Sequence, residues 1–285
     1  MAEFDDARRV AQIQDLVRQL RGLPVDLLPF EQVRETLRLR HTIDRGIEEV
    51  PLDMIVGTLG REREFNRFFF PREESLRDRW DEVRDLAVGL YGFGAVHLYK
   101  VGDAYFVVDG HHRVSVERAL KAPTIEARVK EFVSPVPISP DDELGELVLR
   151  RELADFVESS CLSAEEAEEF EITEPNGYER LLEHISVHRY YMGLDRKRDV
   201  SCKEAVESWR ELVYRPMVEI IRRSGVMENF PGYTVTDLYL FAMDHLHYLR
   251  ERYGTQADDT TDAVENLRDA APDNGWLARL KEWWK

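Results

Sequence analysis

Five consecutive residues, Asp109-Gly110-His111-His112-Arg113, set one carboxylate, two imidazoles and one guanidinium around a glycine. Tyr105–Val108 before them is β-branched and aromatic, too short for a helix and suited to a strand. From Arg113 onward Val116, Ala119 and Leu120 recur at helical spacing. The pattern predicts a strand, a one-glycine elbow and a helix whose first turn carries both histidines and the arginine. Gly110 can take the positive φ that a sharp turn or a close ligand requires. A helix start offers unpaired N–H groups and partial positive charge, so it suits an anion, above all phosphate, and a guanidinium can grip phosphate with two donors. Asp109 would repel phosphate, which leaves it a metal ion, a histidine to orient, or a proton to receive. Asp-Gly is also ordinary turn chemistry, so the five residues by themselves leave a phosphate site and a plain turn both open.

The elements that must position this elbow can be read on either side of it. Residues 5–21 predict an amphipathic helix with Val10, Ile13, Val17 and Leu20 at helical spacing, ended by Gly22 and Pro24. A second helix is predicted from Phe30 to about His41, with Phe30, Val33 and Leu37 inward. Val50, Leu52, Met54 and Val56 alternate as one half-buried strand, with Pro51 marking an edge or a strand start. A charged, glycine-containing loop over 57–64 follows, then Phe65, Phe68, Phe69 and Phe70 as a core plug, and a helix over about 73–88. Gly92 and Gly94 lead into a hairpin turning at Gly102-Asp103, and Ile125, Ala127 and Val129 alternate as a last strand with one wet face.

Val-Asp-Gly-His-His-Arg, following a hairpin and opening a helix, resembles the signature of the ParB/sulfiredoxin-like superfamily. It is closest to the Asp-Gly-His-His-Arg form of archaeal free serine kinases. It is similar, less closely, to the Gly-Cys-His-Arg loop of sulfiredoxin and the Gly-Glu-Arg-Arg box of ParB partition proteins. The resemblance runs from about Val50 to Phe132, roughly a third of the chain; the rest resembles bacterial proteins that carry ParB-like domains. It implies an α+β fold with a small mixed-sheet domain, an N-terminal helical segment and a C-terminal all-α domain. It also implies that the elbow holds nucleotide phosphates (ATP, ADP or CTP, with Mg²⁺) through Gly110, His111, His112 and Arg113, with Ser115 adding a hydroxyl. Asp109 would hold the metal or orient an acceptor. The loop after the first strand would face the elbow across the nucleotide, placing Gly60, Arg61 and Glu62 opposite His112. By analogy with the kinases, Glu62, or its rival Glu64, would be the base. The plain alternative is that these two carboxylates pair with Arg61 and Arg63 at the surface.

Two functions follow from the resemblance. One is phosphoryl transfer from the nucleotide to a small hydroxylated acceptor or to water, a small-molecule kinase or nucleotide hydrolase. The other is a non-catalytic, nucleotide-gated ParB-like regulator that contacts DNA or a protein partner. Charge bears on the choice: 56 acidic against 39 basic residues give a formal net charge of −17. Nucleic-acid affinity rests largely on Lys and Arg neutralising phosphates, so the balance disfavours DNA, whereas a small anion needs only one local positive site. The N-terminus lacks the basic-then-apolar form of a secretory signal and no apolar run approaches a membrane span, so a cytoplasmic protein is expected. Cys161 and Cys202 lie far apart without metal-ligand spacing and are expected to be unpaired.

The predicted organisation is N-terminal helices over 1–45, the α/β domain over 46–134, and a helical domain over 139–254. An acidic linker and a Trp-rich helix over 255–285 end it. Ser134-Pro135-Val136-Pro137 is stiff and extended. Beyond it, capping boxes at Ser163, Ser201 and Thr234 predict helix starts, and Pro216 should kink or divide the helix over 202–223. His184 and His188 have the i,i+4 spacing of two metal ligands, but they flank an apolar stripe and are assigned a structural role. The Trp-rich tail, with Trp276, Trp283 and Trp284, suits docking on its own domain or a homodimer contact better than stable membrane insertion.

Overall fold

A computed structural model gives the structure of the chain, and residues 3–89, 93–253 and 264 are described. The predicted linker and Trp-rich helix, and the lead-in glycine Gly92, lie outside the described residues. Contacts divide the chain into two compact units, residues 1–151 and 152–285.

The first unit is built on a six-stranded mixed sheet. Its strands are β1 (Leu28–Pro29), β2 (Thr42–Pro51), β3 (Ile55–Thr58), β4 (Val96–Val101), β5 (Ala104–Asp109) and β6 (Thr124–Phe132), in the order β1-β3-β5-β4-β6-β2. The pairs β1·β3, β3·β5 and β4·β6 are parallel; the β4·β5 hairpin and β2·β6 are antiparallel. Its helices are α1 (Phe4–Leu20), α2 (Phe30–Thr36), α3 (Arg77–Ala87) and α4 (His111–Ala119). The result is an α+β fold, as expected. Strand alternation separates two packing faces. Val107, Val96, Leu98, Ala127 and Val129 pack with Phe4, Trp80, Val83 and Val114 from α1, α3 and α4. Phe106, Tyr99 and Phe132, with the opposite parity, stack on Phe30 of α2.

The expected single strand over 50–56 is instead two strands: Pro51, which cannot donate to a ladder, ends β2, a 3₁₀ turn buries Leu52, and β3 begins at Ile55 in the sheet interior. The expected first helix is present as α1, which buries Phe4, Ala7 and Ala11 and leaves Val10, Ile13, Val17 and Leu20 exposed. Its inner face is pinned by polar contacts: Asn66 donates to Gln14, and Asp15 takes the Arg72 guanidinium at 2.8 Å.

The second unit is helical. The division falls within α5 (Leu144–Ser160), after which come α6 (Ala164–Ala167), α7 (Gly177–Arg196), α8 (Cys202–Trp209), α9 (Arg215–Ser224) and α10 (Val235–Tyr253). Ser163 and Glu166 form the expected reciprocal capping box. Pro216 sits at the start of α9, behind a π-helical segment over 210–214, so the expected break at this proline is present. His184 meets the Tyr239 hydroxyl at 3.1 Å while His188 meets Ser208 at 2.9 Å. The two imidazoles therefore serve separate packing contacts.

The cysteines are not free: Cys161 and Cys202 form a disulfide. Cys161 turns the chain out of α5 with φ +61° and Cys202 opens α8, which brings their Cα atoms to 6.2 Å across a separation of 41 residues. Closing a loop of that length removes about 4 kcal/mol of unfolded-chain entropy. Reduction should therefore lower the stability of the helical unit by about 2–4 kcal/mol in denaturant titrations, and Cys161→Ser with Cys202→Ser should reproduce the loss without reductant.

Candidate functional site

Strand β5 ends at Asp109, Gly110 turns at φ +103°, and α4 starts at His111. A Cβ on Gly110 would lie 2.6 Å from Val96 Cγ1 and 3.0 Å from the Arg113 guanidinium, so both the dihedral and the space demand glycine. With glycine at the N-cap and no acidic residue in the first turn, no side chain satisfies the leading N–H groups of α4. They open on a 480 Å³ cleft lined by Arg61, Arg79, Phe93, Asp109 and the elbow itself.

The two histidines are held differently. His111 is buried; its Nε2 is joined to Thr58 Oγ1 at 2.6 Å, and its ring stacks on Phe65. Burial pushes its imidazole down to about 4, with Arg61 and His112 adding to the effect. His112 meets the edge of Phe65, and its Nδ1 is buried without a hydrogen-bond partner. Burial, then Arg61 and Arg79, push His112 down to about 4 as well. Both rings are neutral at pH 7. An unsatisfied buried nitrogen is uncommon and costly.

Arg113 points back along the chain. It donates to Asp109 at 2.6 Å and to the carbonyls of Gly94 and Ala95 at 2.7 and 3.1 Å. The predicted phosphate grip is thus engaged in closing the elbow, and Asp109 is its counter-ion. Mg²⁺ usually takes only one or two protein carboxylates beside phosphate and water. Asp109 fits as such a partial holder once Arg113 lets go. Among the described residues no three His, Cys, Asp or Glu side chains converge as a metal cage.

The loop after β3 brings Arg61 to the cleft but not Glu62. Gly60, at φ +90°, donates its N–H to Glu62 Oε1 at 3.2 Å. Glu62 lines a separate 540 Å³ cavity with Arg63, Arg67 and Glu143. Its rival Glu64 pairs with Arg61 at 3.0 Å, which is the plain surface alternative for that residue. Ser115 does not reach the cleft either. It shares the inner face of α4 with His111 and Val114, and its Oγ accepts the Trp80 indole N–H at 3.0 Å. Arg79 was not singled out in the sequence, because it lies on the polar face of α3 and is named only by the cleft.

No family model matches the chain. No curated protein matches it. Among solved structures, sulfiredoxin from Arabidopsis thaliana is similar at 22% identity, covering 30% of this chain and 86% of that one, with a TM-score of 0.24.

Because the folded imidazoles titrate near 4 and a free histidine near 6.5, the unfolded chain takes up protons first as the pH falls. The stability gained by keeping His111 neutral is complete above about pH 6.5 and lost as the pH falls to about 4, about 3 kcal/mol in all. Histidine NMR titration should find His111 and His112 still neutral at pH 5.5; a midpoint near 6.5 for His112 would remove it from the buried wall.

Proposed function

We propose that the cleft at the start of α4 binds the phosphates of a nucleotide, ATP, ADP or CTP, with Mg²⁺ shared between the phosphates and Asp109. The observation that supports this most directly is an uncapped helix start behind a left-handed glycine, opening on a cleft whose lining carries three arginines and a single carboxylate. The motif's resemblance to loops that hold nucleotide phosphates supports the same reading. Arg61 and Arg79 are the first phosphate contacts. Among the described residues Arg61 pairs with the half-buried Glu64 and Arg79 with the exposed Glu82, each three residues on, and such pairs cost little to exchange.

Within this reading the chemistry is phosphoryl transfer to a small hydroxylated acceptor or to water, and His112 is the base. Its neutral ring lines the cleft, whereas Glu62 lines another cavity. Most of the rate would come from positioning and charge neutralisation, as phosphoryl transfer requires. The closed Asp109–Arg113 pair favours a second function, a nucleotide-gated regulator in which phosphate entry opens the pair and turnover is absent.

Calorimetry with ATP, ADP, CTP and GTP, with and without Mg²⁺, separates these. Arg61→Ala should weaken the preferred nucleotide about 10- to 100-fold, the loss expected for one charged hydrogen bond, with the melting temperature unchanged. Arg113→Ala should weaken binding and also lower the melting temperature, because it unties the elbow. His112→Ala should abolish turnover with a smaller effect on affinity. Unchanged affinity in Arg61→Ala would reject the cleft, and binding without turnover for any acceptor would favour the regulator.

A further inference from the structure

Arg67 is a buried cation with loose partners. Its side chain is only 6% exposed, yet it reaches the Val56 carbonyl at 3.5 Å and the Asp142 carbonyl at 3.2 Å. The nearest carboxylate, Glu143, lies at 3.7 Å, beyond hydrogen bonding. The neighbouring Arg118, by contrast, holds Asp53 at 3.0 Å and the Leu52 carbonyl at 2.5 Å. Buried charges are normally paired and fully hydrogen-bonded, so a loosely held one needs a reason. The backbone does not supply it, because the turn is firmly fixed. Asn66 Oδ1 accepts the N–H groups of Phe68 and Phe70 at 3.0 and 2.9 Å, and the Arg67 N–H donates to the Val25 carbonyl at 2.8 Å.

Arg67 lines a 250 Å³ cavity with Arg18 and Arg118, against the apolar Ile55, Val56 and Phe68. Among the described residues, two carboxylates touch these three guanidiniums. Asp53 pairs with Arg118, while one oxygen of Glu143 is shared, 3.2 Å from Arg18 and 3.7 Å from Arg67. Asp141 is exposed and acts on Arg67 only as a charge at a distance. Burial pushes the Arg67 guanidinium down in spite of Glu143. One positive charge is thus left without a contacting partner, facing a cavity.

We infer that this cavity binds a small monocarboxylate with a short aliphatic body, its oxygens on Arg67 and its chain on Ile55, Val56 and Phe68. The planar guanidinium fork matches a carboxylate. One unmatched cation calls for one negative charge, and Asp53 and Asp141 repel a second. The apolar wall rewards a few methylenes, and the volume is below that of a site for larger ligands. A second cavity that Arg67 also lines carries Asp26, Glu62 and Glu143 against Arg63, which disfavours an anion there. The monocarboxylate cavity shares no described lining residue with the cleft at the start of α4, so it stands apart from the nucleotide reading.

Calorimetry of the full chain with sodium butyrate should give saturable binding with a Kd of about 0.1–1 mM, a range open to six non-hydrogen atoms. Acetate, two methylenes shorter, should bind about tenfold more weakly. In ¹⁵N spectra the Arg67 Nε–H resonance should move with butyrate and stay in place with butyramide, its uncharged isostere, or with inorganic phosphate. Arg67→Lys keeps the charge but loses the fork, and should weaken butyrate at least tenfold with an unchanged circular dichroism spectrum. Arg61→Ala, at the other cleft, should leave butyrate affinity unchanged. No saturable butyrate binding, full affinity in Arg67→Lys, or lost affinity in Arg61→Ala would each overturn the inference. So would an Arg67 resonance that ignores butyrate or answers equally to butyramide or phosphate, a test that stands even if Arg67→Lys does not fold.

Discussion

The hydrogen bond between Thr58 and His111 is the contact on which the first unit's site depends. It joins the last residue of β3 to the first residue of α4, 53 positions apart, at 2.6 Å and out of reach of water. Both residues lie at element ends, where a shift of one position would turn the side chain to another face. The strands leave little freedom for such a shift. At Gly57 a Cβ would fall 2.2 Å from the Phe106 ring and 2.6 Å from the Leu28 carbonyl, so β1, β3 and β5 are packed against each other without a side chain between them. The loop that carries Arg61 and the helix that carries His112 are therefore held at one separation by a neutral imidazole. Protonating that imidazole would make both ring nitrogens donors, and the contact could then survive only with the Thr58 oxygen as acceptor and a charge left in a buried place.

Around this tie the arginines divide by how firmly they are held. Arg113 is partly buried and has three partners, the Asp109 carboxylate and the carbonyls of Gly94 and Ala95. Asp109 is itself 67% exposed, so its pair with Arg113 is solvated on the carboxylate side. Arg61 and Arg79 stand at the rim in solvent-exposed pairs worth about 0–1 kcal/mol.

How much of this was legible in the sequence depended on whether the signal was local. The strand–glycine–helix elbow, the β4·β5 hairpin, the half-wet β6, the capping boxes and the break at Pro216 all rest on residues within a few positions of each other. Those readings match the structure. The period of Val10, Ile13, Val17 and Leu20 marks α1 as a helix but does not say which face is buried; small residues (Ala7 and Ala11) with one Phe lie inward, and Gln14, Asp15 and Arg72 hold that side down. The cysteines pair through two turns that no spacing rule describes. Ser115 and Glu62 were placed by motif neighbourhood. One lies on the inner helical face against Trp80 and the other is turned aside by the Gly60 N–H, and both outcomes depend on partners distant in sequence or on a backbone turn.

An anion site in a chain with a net charge of −17 needs a physical account. At physiological salt, exposed charges are screened beyond about 8 Å, so the distant carboxylates act mainly on encounter and little on the bound state. What a phosphate would meet in the proposed site is the local lining: Arg61, Arg79, Arg113, two neutral imidazoles and the leading N–H groups of α4, against Asp109 alone. Such a lining suits a compact anion with several charges on a few atoms, and affinity for a long polyanion would fall steeply as salt rises.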